Sequence, residues 1–174
     1  MSSIPDKMAM SMELFDDLQK GAIQYFLDNV NPANGLVADS TWGDVPSSIA
    51  AVGFALATYP VSVERGLLSR ADAIERTLTT LRFFHNSPQG PEPDTTGYKG
   101  FYYHFLDIQT GQRVWESELS TIDTACLIIG MLVNTMYFDQ NVAGEREIRM
   151  LADALYQRVD WEWALNGGPT VSHG

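Results

Sequence analysis

The sequence has few of the residues that staple or metallate a protein. Its one cysteine, Cys126, rules out a disulfide within the chain, and its apolar surroundings make it a small buried hydrophobe. The three histidines, His85, His104 and His173, are scattered along the chain and none stands at metal-ligand spacing from another, so no metal or other cofactor is expected. Positive charge is scarce as well: 11 Lys and Arg stand against 22 Asp and Glu, a formal net charge of −11. So acidic a surface repels phosphate backbones and anionic lipid, which argues against nucleic acid or a membrane surface as partner. The longest apolar run, Ala125–Val133, is too short to span a bilayer and grows only by admitting Asp123 and Asn134. The opening "MSSIPDKMAMSMELF" lacks the apolar core of a secretory signal, which leaves localisation open.

What is present suits a single domain. A chain of 174 residues, 45% hydrophobic and 19% charged, can bury a sizeable core. Hydrophobic spacing predicts five helices and a hairpin. The first helix covers Met12–Asn29, with Phe15, Leu18, Ala22, Tyr25 and Phe26 on its inner face. The second starts at Pro46, Ser47 or Ser48 and carries no charge from Ile49 to Ala57; Pro60 should kink or end it. The third, Ser69–His85, has Ser69 and Asp72 as a short capping box, Ile74, Leu78, Leu81 and Phe84 inside, and Arg70 and Arg82 toward solvent. A Pro- and Gly-rich loop (86–100) leads to an aromatic hairpin turning at Asp107–Gly111. The fourth helix, Ser120–Phe138, has Asp123 as its only acid; the fifth, Glu145–Trp161, is amphipathic again, and a loop-like tail ends the chain.

Amphipathic helices thus alternate with helices that have no charged face. A helix apolar all round is buried all round, so the alternation implies an outer layer and an inner layer. Antiparallel connections then point all inner helices the same way and gather their N-termini on one face. Before the second helix stands "ADSTWGDVPSS", with Asp39, Trp42 and Asp44; before the fourth stands "VWESELS", with Trp115, Glu116 and Glu118. Each acid reads in two ways. It can favour the helix dipole or a cap, as Asp123 three residues after Ser120 would. It can also serve a carbohydrate site, where carboxylates do acid and base work and flat rings pack against sugar C–H faces.

The segments "GDVPSSIAAVGFALATYPVSVERG", "ERTLTTLRFF", "TGYKGFYYHFLDIQTGQR", "ELSTIDTA", "LADALYQRVDWEWALNGG" and "SHG" together resemble the bacterial glycoamylase-like proteins. That group includes the endo-β-1,2-glucanases of glycoside hydrolase family 144. The resemblance runs from about Leu14 onward and implies an (α/α)6 toroid that hydrolyses glucan without a metal, with its pocket among the loops entering the inner helices. It places Glu118 on the family's prominent acid, as general acid or essential substrate-binding acid. Asp44 and Asp39 fall in the acidic loop before the preceding inner helix. Trp42, Trp115, Tyr98, Lys99 and Tyr103 become candidate sugar contacts, with Glu116 and Asp123 ranked behind them.

A full toroid has twelve helices and needs roughly 350–450 residues. The chain therefore reads as one domain, residues 1–174, corresponding to the N-terminal part of such a toroid, with the second catalytic carboxylate expected elsewhere in the ring. Five helices would leave apolar faces of the second and fourth uncovered, which predicts self-association. Two other functions fit the same residues. One is a non-catalytic carbohydrate-binding or helical interaction module. The other is a lyase or epimerase on acidic sugars, which the net charge disfavours.

Overall fold

The computed structural model describes residues 4–172, with side chains from Met10 onward; His173, part of the "SHG" segment, lies outside the described residues. The helices are α1 (Ile4–Asp28), α2 (Ile49–Glu64), α3 (Arg70–Asn86), α4 (Thr121–Tyr137), α5 (Ala143–Arg158) and the single-turn α6 (Trp161–Ala164). Five very short strands connect them: β1 (Ser47–Ser48), β2 (Gly97–Tyr98), β3 (Phe101–Tyr103), β4 (Phe105–Leu106) and β5 (Leu119–Ser120).

The inner layer is α2 packed on α4. Gly53 touches Cys126 and Leu127, Leu56 bonds to Asn134, and Glu64 bonds to Tyr137, so both helices run in the same direction. Their backbones meet at two glycines. A Cβ on Gly53 would stand 2.4 Å from the Cys126 carbonyl oxygen, and one on Gly130 2.1 Å from that of Gly53. Only hydrogen fits there. The outer layer is α3 beside α5, also parallel: Arg70 pairs with Glu145 near both N-terminal ends, and Arg158 reaches the Phe84 and His85 carbonyls at the other. Leu78, Leu81 and Phe84 of α3 and Ile148, Leu151 and Leu155 of α5 are buried between the layers.

Four expectations need correction. Pro60 neither ends nor breaks α2, which continues to Glu64. Proline lacks the N–H that would bond the Leu56 carbonyl; Asn134 Nδ2 donates to that carbonyl instead, at 2.8 Å, and also to Gly130 O at 2.8 Å. The Thr77 hydroxyl donates to Asn134 Oδ1 at 3.2 Å, so this buried amide is fully used. Second, Phe15 and Leu18 of α1 are exposed. Among the described residues of that helix, Tyr25, Phe26 and Leu27 pack against the core and Ile23 is buried outside that cluster, with an Asp16–Arg65 ion pair farther back. Third, the last long helix stops at Arg158, and Asp160 caps a separate turn, accepting from Trp163 N at 2.9 Å. Arg70, fourth, is half-buried on Glu145 rather than turned to water.

The inner helices are not buried all round. Phe54 and Val61 of α2 and Ile122, Ile129, Val133 and Met136 of α4 are exposed, Met136 by 81%. One side of each is sandwiched against the outer layer, and the other forms an open apolar face.

Candidate functional site

The N-terminal ends of α2 and α4 are held together by strand pairs from distant parts of the chain. β1 pairs antiparallel with β4, Ser48 opposite Phe105. β3 lies between β2 and β5, with Tyr102 opposite Ser120 and Tyr103 opposite Leu119. The expected turn at 107–111 is present, with Gly111 N bonding Asp107 O, but Arg113 makes only a bridge to Leu106. The aromatic segment pairs instead with the entrances of both inner helices.

His104 sits between β3 and β4 and touches both entrances. Its N–H donates to Glu118 O at 3.0 Å, and its carbonyl accepts from Ile49 N, the first amide of α2, at 3.2 Å. That bond satisfies one of the free amides at the start of α2, where Ser48 supplies no side-chain cap. The His104 ring is half-buried and stacks on Phe105, with centroids 3.9 Å apart and planes 13° from parallel. Its Nδ1 lies 2.8 Å from Glu118 Oε1, and its Nε2 3.9 Å from Asp123 Oδ1. Ligating atoms of these three residues all lie within 4.8 Å of one another, a grouping that could receive a cation. The hydrogen bond between His104 and Glu118 already accounts for their approach. Pairing across the sheet, not sequence spacing, ends the apparent isolation of this histidine.

Asp123 does cap α4. Its N–H donates to Ser120 Oγ at 3.1 Å, and the Ser120 hydroxyl donates back to Asp123 Oδ2. The other oxygen, Oδ1, is the one facing His104.

Trp115 and Glu116 both have left-handed backbone, with φ of 57° and 52°. Such a conformation costs a non-glycine residue about 1–2 kcal/mol. Arg113 holds the turn: Nε donates to Ser117 O and Nη2 to Glu116 O, each at 2.6 Å, while its guanidinium lies 4.3 Å from the centre of the Tyr103 ring. The turn leaves Trp115 71% exposed, its indole against Phe105, the ring that stacks on His104. Trp115 also lines a cleft of about 540 Å³ with Asp44, Val45, Pro46, Asp107 and Gln109. Three hydrogen bonds to the Asp107 carboxylate, led by the Thr110 amide, hold it below the usual carboxylate range and stiffen that wall.

The expected site residues therefore separate. Glu118 and Asp123 meet at His104, while Asp44 and Trp115 line the adjoining cleft. Trp42 is 83% exposed in the loop that also carries Asp39 and Asp44; Asp39 is exposed and bonds Pro46 O through its own N–H. Glu116 is exposed, its carbonyl taken by Arg113. Tyr98 and Lys99 lie elsewhere: Tyr98 packs edge-on to Trp163 at 5.7 Å, and Lys99 bonds Asp160 at 3.1 Å. Tyr103 is buried beneath Arg113. Sequence reasoning passed over His104 and Arg113, because no spacing rule links either to its partners.

No family model matches the chain. It is 26% identical over 157 residues to an exo β-1,2-glucooligosaccharide sophorohydrolase (non-reducing end) of Parabacteroides distasonis, covering 87% of this chain and 21% of that protein. Its fold matches a β-1,2-glucanase from Parabacteroides distasonis with a TM-score of 0.82 and 24% identity, over 93% of this chain and 23% of the other. It also matches an endo-β-1,2-glucanase from Chitinophaga pinensis in complex with sophorotriose and glucose, with a TM-score of 0.79 and 21% identity, over 92% of this chain and 40% of the other. The chain spans about a fifth of the length of the curated relative. In sequence the chain is similar to that sophorohydrolase, and in fold it corresponds to an arc of the toroid of these glucoamylase-like and β-1,2-glucanase structures.

Proposed function

We propose that this chain forms one side of a glycoside hydrolase site for β-glucan, with β-1,2-glucan as its preferred polymer, and that it is the N-terminal part of a toroidal domain. The observation that carries this reading is Glu118 at the entrance to α4, hydrogen-bonded to His104 and adjoining a cleft walled by Asp44 and an exposed Trp115. Glu118 acts as general acid or as the acid that grips the substrate. Asp44 is the carboxylate of this chain best placed in the cleft to assist. Trp115 and Trp42 offer flat faces to glucose rings, and Asp39, Glu116 and Asp123 provide polar groups at the rim. Tyr98, Lys99 and Tyr103, engaged elsewhere, are not part of the proposal. Hydrolysis needs carboxylates on both sides of the scissile bond, about 5–5.5 Å apart for retention and about 6.5–9.5 Å for inversion. The names of the relatives support the β-1,2 linkage.

The deciding experiment is reducing-end release from linear β-1,2-glucan, with β-1,3- and β-1,4-glucans as controls, alongside calorimetry with sophorotriose. Release from the β-1,2 polymer alone, abolished by Glu118→Gln, is the expected result for a complete site. Binding without release, insensitive to Glu118→Gln and lost in Trp115→Ala, would instead mark a carbohydrate-binding module, a role the exposed Trp42 and Trp115 also suit. Neither binding nor release would overturn the reading. The open apolar face of α2 and α4 is proposed to self-associate; a monomer by light scattering at micromolar concentration would refute that.

A further inference from the structure

We propose that His104 is a positioning residue for Glu118. Its Nδ1–H donates to Glu118 Oε1 and holds the carboxylate in one orientation toward the ligand. The functional side of this rests on the reading of Glu118 as the working acid; the pairing itself does not.

Four restraints fix the imidazole before any ligand arrives. The main chain of His104 is bonded on both sides, to Glu118 O and to Ile49 N, so the residue cannot shift without disturbing the start of α2. The ring face is stacked on Phe105, which sets its tilt. Nδ1 contacts Glu118 Oε1 at 2.8 Å, the length of a charge-assisted bond. Nε2 faces Asp123 Oδ1, the other oxygen being bonded to the Ser120 hydroxyl. With Nδ1 protonated the ring donates to Glu118. A second proton would place an N–H opposite each carboxylate, so either state favours the same orientation. A carboxylate on a loop needs such support to stay in one rotamer, and a ring anchored at both entrances provides it.

Side-chain geometry supplies the controls. The Asn amide nitrogen can stand where His Nδ1 stands, so His104→Asn keeps a donor for Glu118 and loses the group facing Asp123. His104→Phe keeps the stack on Phe105 and loses both nitrogens. The test uses the whole chain labelled with 15N-histidine. Long-range proton–nitrogen spectra are expected to show the His104 ring protonated at Nδ1, to lose that preference in Glu118→Ala, which removes the acceptor, and to keep it in Asp123→Asn. Calorimetry with sophorotriose is expected to show affinity reduced about tenfold in His104→Phe and largely restored in His104→Asn.

An Nε2-protonated ring, or a spectrum indifferent to Glu118→Ala, would overturn the proposal. Equal loss of affinity in folded His104→Phe and His104→Asn would do the same, leaving His104 only a packing role. So would micromolar Zn²⁺ binding lost in His104→Phe, since the three side chains would then serve a metal. If the wild-type chain binds no sophorotriose, the proposed function fails, and the ring spectrum still decides the pairing.

Discussion

The two ends of the inner helix pair use the same residue types for opposite purposes. At the C-terminal end, Glu145 is fully buried, accepts both Arg70 Nε and Nη2, and takes the Gln140 amide at 2.7 Å. Arg70 in turn lies over the Tyr137 and Phe138 rings. At the N-terminal end, Asp44 and Trp42 face solvent and Glu118 is only half-buried on its histidine. One end is closed around a buried ion pair; the other carries its acids at or near the surface. A carboxylate's role is thus set by what surrounds it, and a list of acids does not reveal it.

The contrast predicts that substitutions at the closed end cost stability and those at the open end cost binding. The largest effect is expected from Glu145→Ala, which strands Arg70 and the Gln140 amide: about 3 kcal/mol in urea unfolding, at the lower edge for a broken buried pair because Arg70 is partly solvated. The Arg70 guanidinium, through its hydrogen bonds, is the main cause holding the Glu145 carboxyl below its ordinary value. A depressed carboxyl stabilises the fold above its unfolded value, and that stabilisation drains as pH falls through the folded one. Acid titration should therefore weaken the wild type on passing below its ordinary value of 4.5 and leave Glu145→Gln comparatively flat.

Next comes Gly53→Ala, whose methyl meets backbone rather than a movable side chain: about 2 kcal/mol by thermal or urea unfolding. Asn134→Ala should cost about 1–2 kcal/mol by the same assay, because the Leu56 carbonyl under Pro60 loses its donor. Glu118→Gln is expected to change unfolding by less than about 0.5 kcal/mol while removing the β-glucan response. A Glu118→Gln that destabilised as much as Glu145→Ala would erase the distinction between the ends. Trp42→Ala, smallest of all, should leave stability unchanged and only weaken sophorotriose binding.

Much of this was legible in the chain. The 3.6-residue alternation of charged and uncharged helix faces gave the two layers, and Ser69 and Ser120 each cap through the amide three residues on, as read. What escaped depends on partners far away in sequence. Pro60 looked like a stop because its compensating donor, Asn134, lies on another helix. His104 looked alone because its neighbour is supplied by strand pairing. Phe15 and Leu18 looked inward because a periodic face shows where a core could go, not whether one is there. Within the candidate site, Trp115 and the acids were visible as types at a helix entrance; Arg113, which holds the strained turn, carried no such mark.

The bond from Ile49 N to the His104 carbonyl also bears on the order in which the molecule assembles. The interiors of α2 and α4 need only local turns, whereas this first amide of α2 waits for a residue far downstream. Closing so large a loop is slow compared with coiling a helix. Helix interiors should therefore gain protection from hydrogen exchange before the Ile49 amide during refolding. The glycine seam joins residues still farther apart in the chain, Gly53 and Gly130, and during synthesis α4 follows His104, so the two helix entrances can be tied together before the helices lock side by side.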